Sequence, residues 1–361
     1  MLQQVSAFVA CIGAIMAGQA FASPAKSHRE PTSYCAYELG TNLVVEAINN
    51  RNQIAGSAIL GDRAQAFVWD WNRGVRLLGL LPQAAISIGN DISDRGEVVG
   101  FSGGGGILQQ GFVWDRRHGM QRIVALGGQS TSALTINDVG DIMGLSSTAA
   151  EDGEHMYFFG QDGDVVDLGG GIPFGMNDFG QVGFSRQTEQ FPQVSTVFVW
   201  HPKTGEEQLS GFPDNRLIFP SAINNRMDIV GSAAREDGLP HAMRWTPRKG
   251  MQFLAPDEPS FSQANAVNEW GTAVGYMDFG FPIHPFVWTE KSGLRNLTTL
   301  LHPTSPTTLQ AELMEARGVN DREWIAVHTS DRVGGSPRGY VLTPKFRGDT
   351  TPCAAPPTVS N

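Results

Sequence analysis

The segment AFVWDWNRGV at residues 66–75 decides the fold, because the chain repeats it. The same pattern returns as GFVWDRRHGM at 111–120, VFVWHPKTGE at 197–206 and PFVWTEKSGL at 285–294. Each copy places a valine between two aromatic residues and follows them with a polar turn. This pattern is typical of two short strands joined by a hairpin. A repeated hairpin predicts a repeat architecture.

A second motif, close to AIN..G..VG, precedes each aromatic segment and sets the repeat length. Its marker position recurs every 40 to 52 residues, at Asn49, Ser93, Asn137, Asn177, Asn224, Asn268 and Asn320. Seven copies therefore fill the chain from residue 34 onward. Each copy divides into four short strands, which is the size of one propeller blade.

The repeats predict an all-β fold, a seven-bladed β-propeller of four-stranded antiparallel blades. A single sheet with apolar residues on both faces cannot bury them alone, whereas sheets arranged around an axis cover one another. The seventh copy stops after its third strand, near residues 340–344, and residues 34–40 resemble an isolated fourth strand. We therefore expect the N-terminal strand to complete the last blade and close the ring.

Two cysteines flank this predicted closure. Cys35 and Cys353 lie in the same blade if the ring closes in this way, and in an oxidising compartment they would form a disulfide that locks the seam. The alternative is a pair of free thiols in tails that never meet. The remaining cysteine of the chain, Cys11, lies in an N-terminal apolar segment.

That N-terminal segment has the form of a secretory signal peptide. An apolar stretch at residues 5–18 precedes Ala20, Phe21 and Ala22, an A-x-A cleavage signature, and it is short for a membrane span. The sequence thus predicts a signal peptide at 1–22, an N-terminal tail at 23–33, a single propeller domain at 34–347 and a C-terminal tail at 348–361. We expect a secreted or periplasmic monomer with no membrane span after signal removal. Lipidation of Cys11 is the alternative to cleavage.

The composition of the chain narrows the possible partners. Among the 361 residues, 41% are hydrophobic, 17% are charged and 43 are glycine, which suits a turn-rich β domain. The formal net charge of -10 provides no global basic field for a nucleic acid. Nucleic acid is therefore not an expected partner.

The repeat unit resembles that of the extracellular HAF-repeat family, named for a His-Ala-Phe opening of the third strand. The resemblance covers the whole chain after the signal peptide, and the histidine of the motif is present at His155, His241 and His284. Two departures are Ser93 in place of the marker asparagine and Leu342 in place of tryptophan. The resemblance implies an exported bacterial repeat protein without an established activity. The C-terminal tail lacks an apolar anchor, so we expect release rather than attachment.

Metal sites are not expected from these motifs. Equivalent histidines on different blades lie too far apart to share one ion, so His155, His241 and His284 are interpreted as strand-end hydrogen-bonding groups. Asp162, Gly163 and Asp164, followed by Asp167, resemble a calcium loop, but they occupy a repeated hairpin turn. We expect no cofactor, with calcium as the one possible ion.

The first strands are expected to line the axis, and they carry the best candidate for a binding site. The third residue before each marker runs Glu46, Asn90, Leu134, Phe174, Ser221, Asn265 and Arg317. Glu46, Asn90, Asn265 and Arg317, together with the nearby Asp91 and Glu315, form a candidate cluster for a polar ligand or an axial ion. Because blades one and seven are neighbours in a closed ring, Glu46 and Arg317 are also expected to form a structural ion pair.

The variable loops give a second candidate surface. Loops between second and third strands and between fourth and first strands share one face of a propeller, and variable loops on a rigid scaffold are a usual place for binding. Phe191, Phe279 and Phe281 are the apolar candidates there. The alternative for any one of these loops is that it is a flexible connection between strands and binds nothing.

Three functions remain open from the sequence. A secreted binding or interaction module for a carbohydrate, a peptide or a surface ligand is favoured, because the chain shows no catalytic motif. A propeller hydrolase, lyase or lactonase with an axial metal or polar site is the alternative, and whether the chain is an enzyme is left undecided. A structural component of the extracellular matrix is the third hypothesis.

Overall fold

The computed structural model describes residues 28–150, 153–188, 194–213, 216–258, 260–278, 283–305, 314–329 and 336–353. These residues form seven four-stranded antiparallel sheets and one short 3₁₀ helix. The seven-bladed β-propeller predicted from the repeats is confirmed. The predicted signal peptide, including Cys11, lies outside the described residues. Among the described residues, no helix has the length and apolar character to span a membrane.

Each of the first three blades is one copy of the repeat, with its four strands paired in sequence order. Blade 1 consists of β2 (Leu43–Ile48), β3 (Ile54–Leu60), β4 (Arg63–Asp70) and β5 (Gly74–Leu77). Blade 2 consists of β6 (Ile86–Ile92), β7 (Val98–Gly104), β8 (Ile107–Asp115) and β9 (Gly119–Arg122). Blade 3 consists of β10 (Gly127–Ile136), β11 (Ile142–Thr148), β12 (Glu154–Phe159) and β13 (Val165–Gly169).

The next three blades follow the same order, and the seventh differs. Blade 4 consists of β14 (Ile172–Met176), β15 (Val182–Gln187), β16 (Ser195–His201) and β17 (Gly205–Gln208). Blade 5 consists of β18 (Ile218–Ile223), β19 (Ile229–Ala234), β20 (Pro240–Thr246) and β21 (Gly250–Phe253). Blade 6 consists of β22 (Ser262–Val267), β23 (Ala273–Met277), β24 (His284–Thr289) and β25 (Gly293–Asn296), after which the 3₁₀ helix spans Leu297–Leu300. Blade 7 consists of β26 (Glu315–Val319), β27 (Ile325–His328), β28 (Arg338–Lys345) and β1 (Ser33–Thr41).

The ring closes through the N-terminal strand, as the repeats predict. Strand β1 pairs antiparallel with β28, with Tyr37 opposite Val341, and so supplies the fourth strand of blade 7. Cys35 in this strand and Cys353 form a disulfide with a Cα–Cα distance of 5.5 Å. The two ends of the propeller domain are therefore joined by both a strand ladder and a covalent bond.

The hydrophobic core lies between blades rather than at one centre. One cluster joins Val68 of blade 1 to Phe112 and Trp114 of blade 2, and another joins Phe67 of blade 1 to Val341 of blade 7. Strand residues alternate between the two faces of a sheet, so each repeated aromatic segment covers a neighbour on both sides. No blade buries both faces alone, which explains why the sequence repeats the segment.

Candidate binding site in the central channel

Every first strand carries a β-bulge at the same place, and these bulges build the candidate site. In each blade the pairing between the first and second strands shifts by one residue, which leaves one residue of the first strand unpaired. A bulge re-aims the side chain at that position and often lies beside a functional site. The seven unpaired residues are Glu46, Asn90, Leu134, Phe174, Ser221, Asn265 and Arg317, and all of them line one cavity of about 460 Å³ on the axis.

The bulges also explain the last glycine of the repeated motif. A Cβ atom at Gly100 would lie 1.9 Å from the carbonyl oxygen of Ile88, two residues before the bulge at Asn90. Gly275 meets the same restriction, because its Cβ would lie 1.9 Å from the carbonyl oxygen of Gln263. At Gly100 and Gly275 only glycine lets the second strand approach this closely. The bulge itself does not require glycine, because blades 4 and 7 form it with Phe184 and Val327 at the equivalent position.

The channel has a polar side and an apolar side. Glu46, Asn90, Asn265 and Arg317 come from blades 1, 2, 6 and 7, which are adjacent in the ring. The opposite wall comes from blades 3 to 5, where Leu134, Pro173, Phe174 and Pro220 are apolar and Ser221 is the polar bulged residue. The polar candidates predicted from the sequence leave out Leu134 and Phe174, which occupy the equivalent bulged positions of the repeat. A pocket that combines an apolar wall with a few convergent polar groups is the usual form of a small-molecule site.

Glu46 and Arg317 form the predicted ion pair across blades 1 and 7. The Nη2 and Nε atoms of Arg317 both donate to Oε2 of Glu46, at 2.5 and 3.1 Å. Burial is the largest influence on Arg317 and opposes its charged form, but the charge and hydrogen bond of Glu46 and the charge of Glu315 together outweigh burial and raise the pKa of the guanidinium. The channel therefore holds an inter-blade ion pair on its polar side.

The two channel asparagines also link neighbouring blades. The Nδ2 atom of Asn90 donates to the carbonyl oxygen of Ala133 at 2.7 Å, and that of Asn265 donates to the carbonyl oxygen of Ala316 at 2.9 Å. Their amide planes are fixed by these bonds. A fixed side chain presents its polar atoms to a ligand at a lower entropic cost than a mobile one does.

The marker asparagines form a ring of hydrogen bonds at one end of the channel. Each is buried, and its Nδ2 atom donates to the marker carbonyl of the next blade at 2.8 to 3.2 Å, which holds for Asn49, Asn137, Asn177, Asn224, Asn268 and Asn320. The marker therefore serves to join blades, and this role explains its recurrence.

Blade 2 carries serine at the marker and replaces the missing link with Asp91. The Oδ2 atom of Asp91 accepts hydrogen bonds from the hydroxyl of Thr135 at 2.6 Å and from the backbone N–H of Ile136 at 2.9 Å, both in blade 3. Burial raises the pKa of Asp91, whereas these hydrogen bonds act in the opposite direction. Asp91 borders the channel, and its contacts are those of a structural link between blades.

A second ring, formed by the residues that follow the markers, was not predicted from the sequence. In each blade this side chain accepts a hydrogen bond from the backbone N–H of its counterpart in the preceding blade, at 2.6 to 2.9 Å. The ring is complete around the axis and consists of Asn50, Asp94, Asp138, Asp178, Asn225, Glu269 and Asp321. It borders a cavity of about 350 Å³. The available signal was that all seven copies carry Asn, Asp or Glu at this position.

The carboxylates of this second ring affect one another. Burial and the negative charges of Asp94 and Asp178 raise the pKa of Asp138 to about 6. Burial and the charge of Asp321 raise the pKa of Glu269. This end of the channel is therefore acidic, and Asp138 titrates in the range of mildly acidic surroundings.

Glu315 is the one described candidate residue that lies apart from the cavity. Its Oε2 atom lies 3.7 Å from Nε2 of His328. Phe191, Phe279 and Phe281 lie outside the described residues. The loop surface that they define is neither supported nor contradicted by the structure.

Two of the three repeat histidines pair with aspartates of their own blades. His155 pairs with Asp167 and His241 pairs with Asp237, each at 3.0 Å, and they lie in blades 3 and 5. Residues 162–164 occupy the turn between β12 and β13, where Gly163 adopts a φ of 88°. In the described part of the chain, the one group of three residues close enough to share a metal ion is Cys35, His302 and Cys353, and its cysteines form the disulfide.

Comparison with solved structures supports the fold. The chain is similar to the β-propeller domain of the Trilobed protease from Pyrococcus furiosus, a domain with an open velcro topology. The TM-score is 0.59 and the sequence identity is 10%, and the match covers 87% of this chain and 96% of that one. The chain is also similar to the Pyrococcus horikoshii acylaminoacyl peptidase, with a TM-score of 0.55, 10% identity, and coverage of 85% of this chain and 51% of that one.

A third similar structure is the BP39L lectin from Burkholderia pseudomallei, with a TM-score of 0.50, 10% identity, and coverage of 88% of this chain and 100% of that one. At such low identity these likenesses show the fold alone. No protein-family model matches the chain, and no curated protein matches it by sequence.

Proposed function

We propose that the chain is an exported binding module and that its central channel holds a small carbohydrate ligand. The observation that supports the proposal is the two-sided wall of the cavity, with Glu46, Asn90 and Arg317 on one side and Phe174 with Pro173 on the other. Export agrees with the signal-like segment at 1–22 and with the disulfide between Cys35 and Cys353.

A sugar matches this wall because it also has two kinds of surface. Its hydroxyl groups donate and accept hydrogen bonds at the ring edge, which suits the carboxylate of Glu46 and the guanidinium of Arg317. Its C–H groups form an apolar face, which suits the ring of Phe174. A cavity of about 460 Å³ accommodates a mono- or disaccharide and lies within the usual size range of ligand pockets.

The polar side of the channel is already rigid, which favours binding. The ion pair of Glu46 with Arg317 and the bonds of Asn90 and Asn265 to neighbouring blades fix the positions of these groups before any ligand arrives. Binding therefore orders few side chains, and little affinity is lost to their immobilisation. The similarity in fold to the BP39L lectin is consistent with this function without being specific for it.

Isothermal titration calorimetry with a panel of neutral mono- and disaccharides tests the proposal, and a glycan array extends the panel. We expect Phe174→Ala to weaken the binding of the best saccharide by about tenfold, the loss typical of an aromatic contact. Phe179→Ala is the matched control, because this residue is 63% exposed in a blade 4 turn away from the cavity wall. Wild-type affinity in Phe174→Ala would contradict the channel as the site, and binding of peptides but no saccharide would contradict the ligand class.

A further inference from the structure

One position of the third strands changes its chemical character in a single blade. The residue before the tryptophan position is apolar in six blades and arginine in blade 5, as Val68, Val113, Phe158, Val199, Arg244, Val287 and Val341. The side chain of Arg244 is 12% exposed. Its guanidinium lies over the ring of Trp288 in blade 6, 5.5 Å from the centroid. A largely buried guanidinium costs free energy unless partners satisfy its charge and its donors.

Arg244 forms the inner wall of a cleft of about 520 Å³ between blades 5 and 6. We name it the blade 5–6 cleft, and its charged residues are Arg226, Asp228, Arg244, Arg248, Lys249 and Glu290. Four cationic side chains against two carboxylates leave an excess of two positive charges there, although the whole chain has a formal net charge of -10. The cleft is therefore a local basic site on an acidic protein.

Arg226 and Arg244 of blade 5 converge on one carboxylate. The Nη2 atom of Arg226 donates to Oδ2 of Asp228 at 2.5 Å, and the Nη2 atom of Arg244 forms an ion pair with the same oxygen at 3.0 Å. Gly271 of blade 6 leaves the space for them, because a Cβ there would lie 2.7 Å from Nη2 of Arg226 and 3.2 Å from Nη2 of Arg244. The Nε atom of Arg244 is buried and has no hydrogen-bond partner among the described residues. The donors of the cleft therefore exceed its acceptors.

Glu290 covers the outer side of the cleft with a carboxylate that is weakly held. Its side chain is 60% exposed, and its Oε2 atom lies 3.3 Å from Nη1 of Arg244. Lys249 contacts its other oxygen, and this hydrogen bond lowers the pKa of Glu290. An exposed ion pair of this kind contributes little stability, so an external anion competes readily with Glu290 for the same donors.

We propose that the blade 5–6 cleft binds an oxyanion, either free phosphate or sulfate or such a group on a sugar, with Arg244 as its anchor. Arg248 and Lys249 are exposed at the turn of the same hairpin and supply further donors. A guanidinium provides a planar pair of donors that matches two oxygens of such a group, and charge-assisted bonds of this type are the strong ones. The cleft is separate from the central channel, so this proposal does not depend on the function proposed for the channel.

The test is calorimetric titration of the full chain with inorganic phosphate and with sulfate at constant ionic strength, with chloride as the reference salt. We expect the double variant Arg248→Gln with Lys249→Gln to bind about tenfold more weakly, because two charge-assisted contacts are removed. We expect Glu290→Gln to bind severalfold more tightly, because the internal competitor has lost its charge. Titration with glucose 6-phosphate distinguishes the sources, since tighter binding than inorganic phosphate indicates a sugar-linked anion and weaker binding indicates the free ion.

The control is Arg116→Gln with Arg117→Gln in the equivalent hairpin turn of blade 2. That turn is also basic, but its third strand has Val113 where blade 5 has Arg244. We expect the control to bind as the wild type does. The proposal is refuted if neither the wild type nor Glu290→Gln binds phosphate or sulfate more strongly than chloride. It is equally refuted if the blade 2 control loses as much affinity as the cleft variant.

Discussion

Substitution of Asp138 by asparagine is expected to stabilise the protein above pH 6 and to leave its stability nearly unchanged near pH 4. Asp138 is the one member of the second ring with carboxylates on both sides, Asp94 before it and Asp178 after it. The ring already contains asparagine at two places, and Asn225 both accepts from the backbone N–H of Asp178 and donates to its Oδ2 atom at 2.7 Å. Asparagine at position 138 can form the same two contacts with Asp94.

The magnitude follows from the pKa of Asp138, which burial and two neighbouring charges raise to about 6 from an ordinary value of 3.8. A difference of roughly two pKa units corresponds to about 3 kcal/mol if fully expressed. Because the carboxyl is only half-buried, solvent screening reduces this to ~1–2 kcal/mol. Below the pKa of the unfolded state, Asp138 is protonated in both the folded and the unfolded protein, so its ionisation does not lower the free energy of unfolding. The penalty grows as the pH rises from about 4 to about 6, and it is constant above that range.

Urea denaturation of the wild type and of Asp138→Asn at several pH values between 4 and 8 measures this difference. We expect the two free energies of unfolding to be similar at pH 4 and to separate in favour of the variant by pH 6. Asp62→Asn removes the same charge from an exposed turn between β3 and β4 and is expected to have no such pH dependence. A variant that is less stable than the wild type at pH 7, or a difference that does not depend on pH, would refute the reasoning.

Three further predictions concern the closure and the repeated links. The double variant Cys35→Ser with Cys353→Ser should lower the thermal midpoint, because the disulfide closes a loop with a sequence separation of 318. The chain-entropy model gives about 6 kcal/mol for such a loop, and disulfides typically contribute up to about 5 kcal/mol. A thiol assay on the denatured, unreduced protein should find neither of these cysteines free. Ser93→Asn should supply the missing marker hydrogen bond to blade 3 and raise the free energy of unfolding by about 1 kcal/mol, measured by urea denaturation. A variant less stable than the wild type would contradict the role of the marker in joining blades. Gly100→Ala should lower the free energy of unfolding by ~3 kcal/mol or more, or abolish folding, because the new Cβ would overlap a carbonyl oxygen. Gly170→Ala is the control and should be nearly neutral, because no heavy atom lies within 4 Å of its Cβ. Melting followed by circular dichroism measures both variants.

The architecture was predictable because the same strand and turn motifs recur in every blade. The Phe-Val-Trp segments and the marker asparagines recur at blade length, so a weak pattern for one strand became a strong one over seven copies. Closure was predictable for the same reason, since a missing fourth strand in the last copy required residues 34–40 to supply it. The ion pair of Glu46 with Arg317 followed from that closure, because only a closed ring makes blades 1 and 7 neighbours.

The bulges and the second ring were not predicted, because they depend on how strands pair. A bulge is a shift between two strands, and the sequence of one strand does not contain the register of its partner. Gly100 and its equivalents carried the available signal, but a glycine in a strand has several explanations. Asp138 follows a marker in a tight turn, where Asn and Asp are common, so its place in the sequence does not indicate a contact between blades. Its contact with Asp94 is visible only when neighbouring blades are in place.

The first strands are nearly uniform at the markers and variable at the bulged position. The marker and the residue after it hold blades together, and they are nearly uniform: asparagine in six of seven markers, and Asn, Asp or Glu at every following position. Three residues earlier, the bulged position has the same backbone role in every blade and yet carries Glu, Asn, Leu, Phe, Ser, Asn and Arg. Four of these side chains, those of Glu46, Asn90, Asn265 and Arg317, also link neighbouring blades, whereas Leu134 and Phe174 form the apolar wall of the cavity. A channel lining that differs around the axis is what the proposed binding of an asymmetric ligand requires.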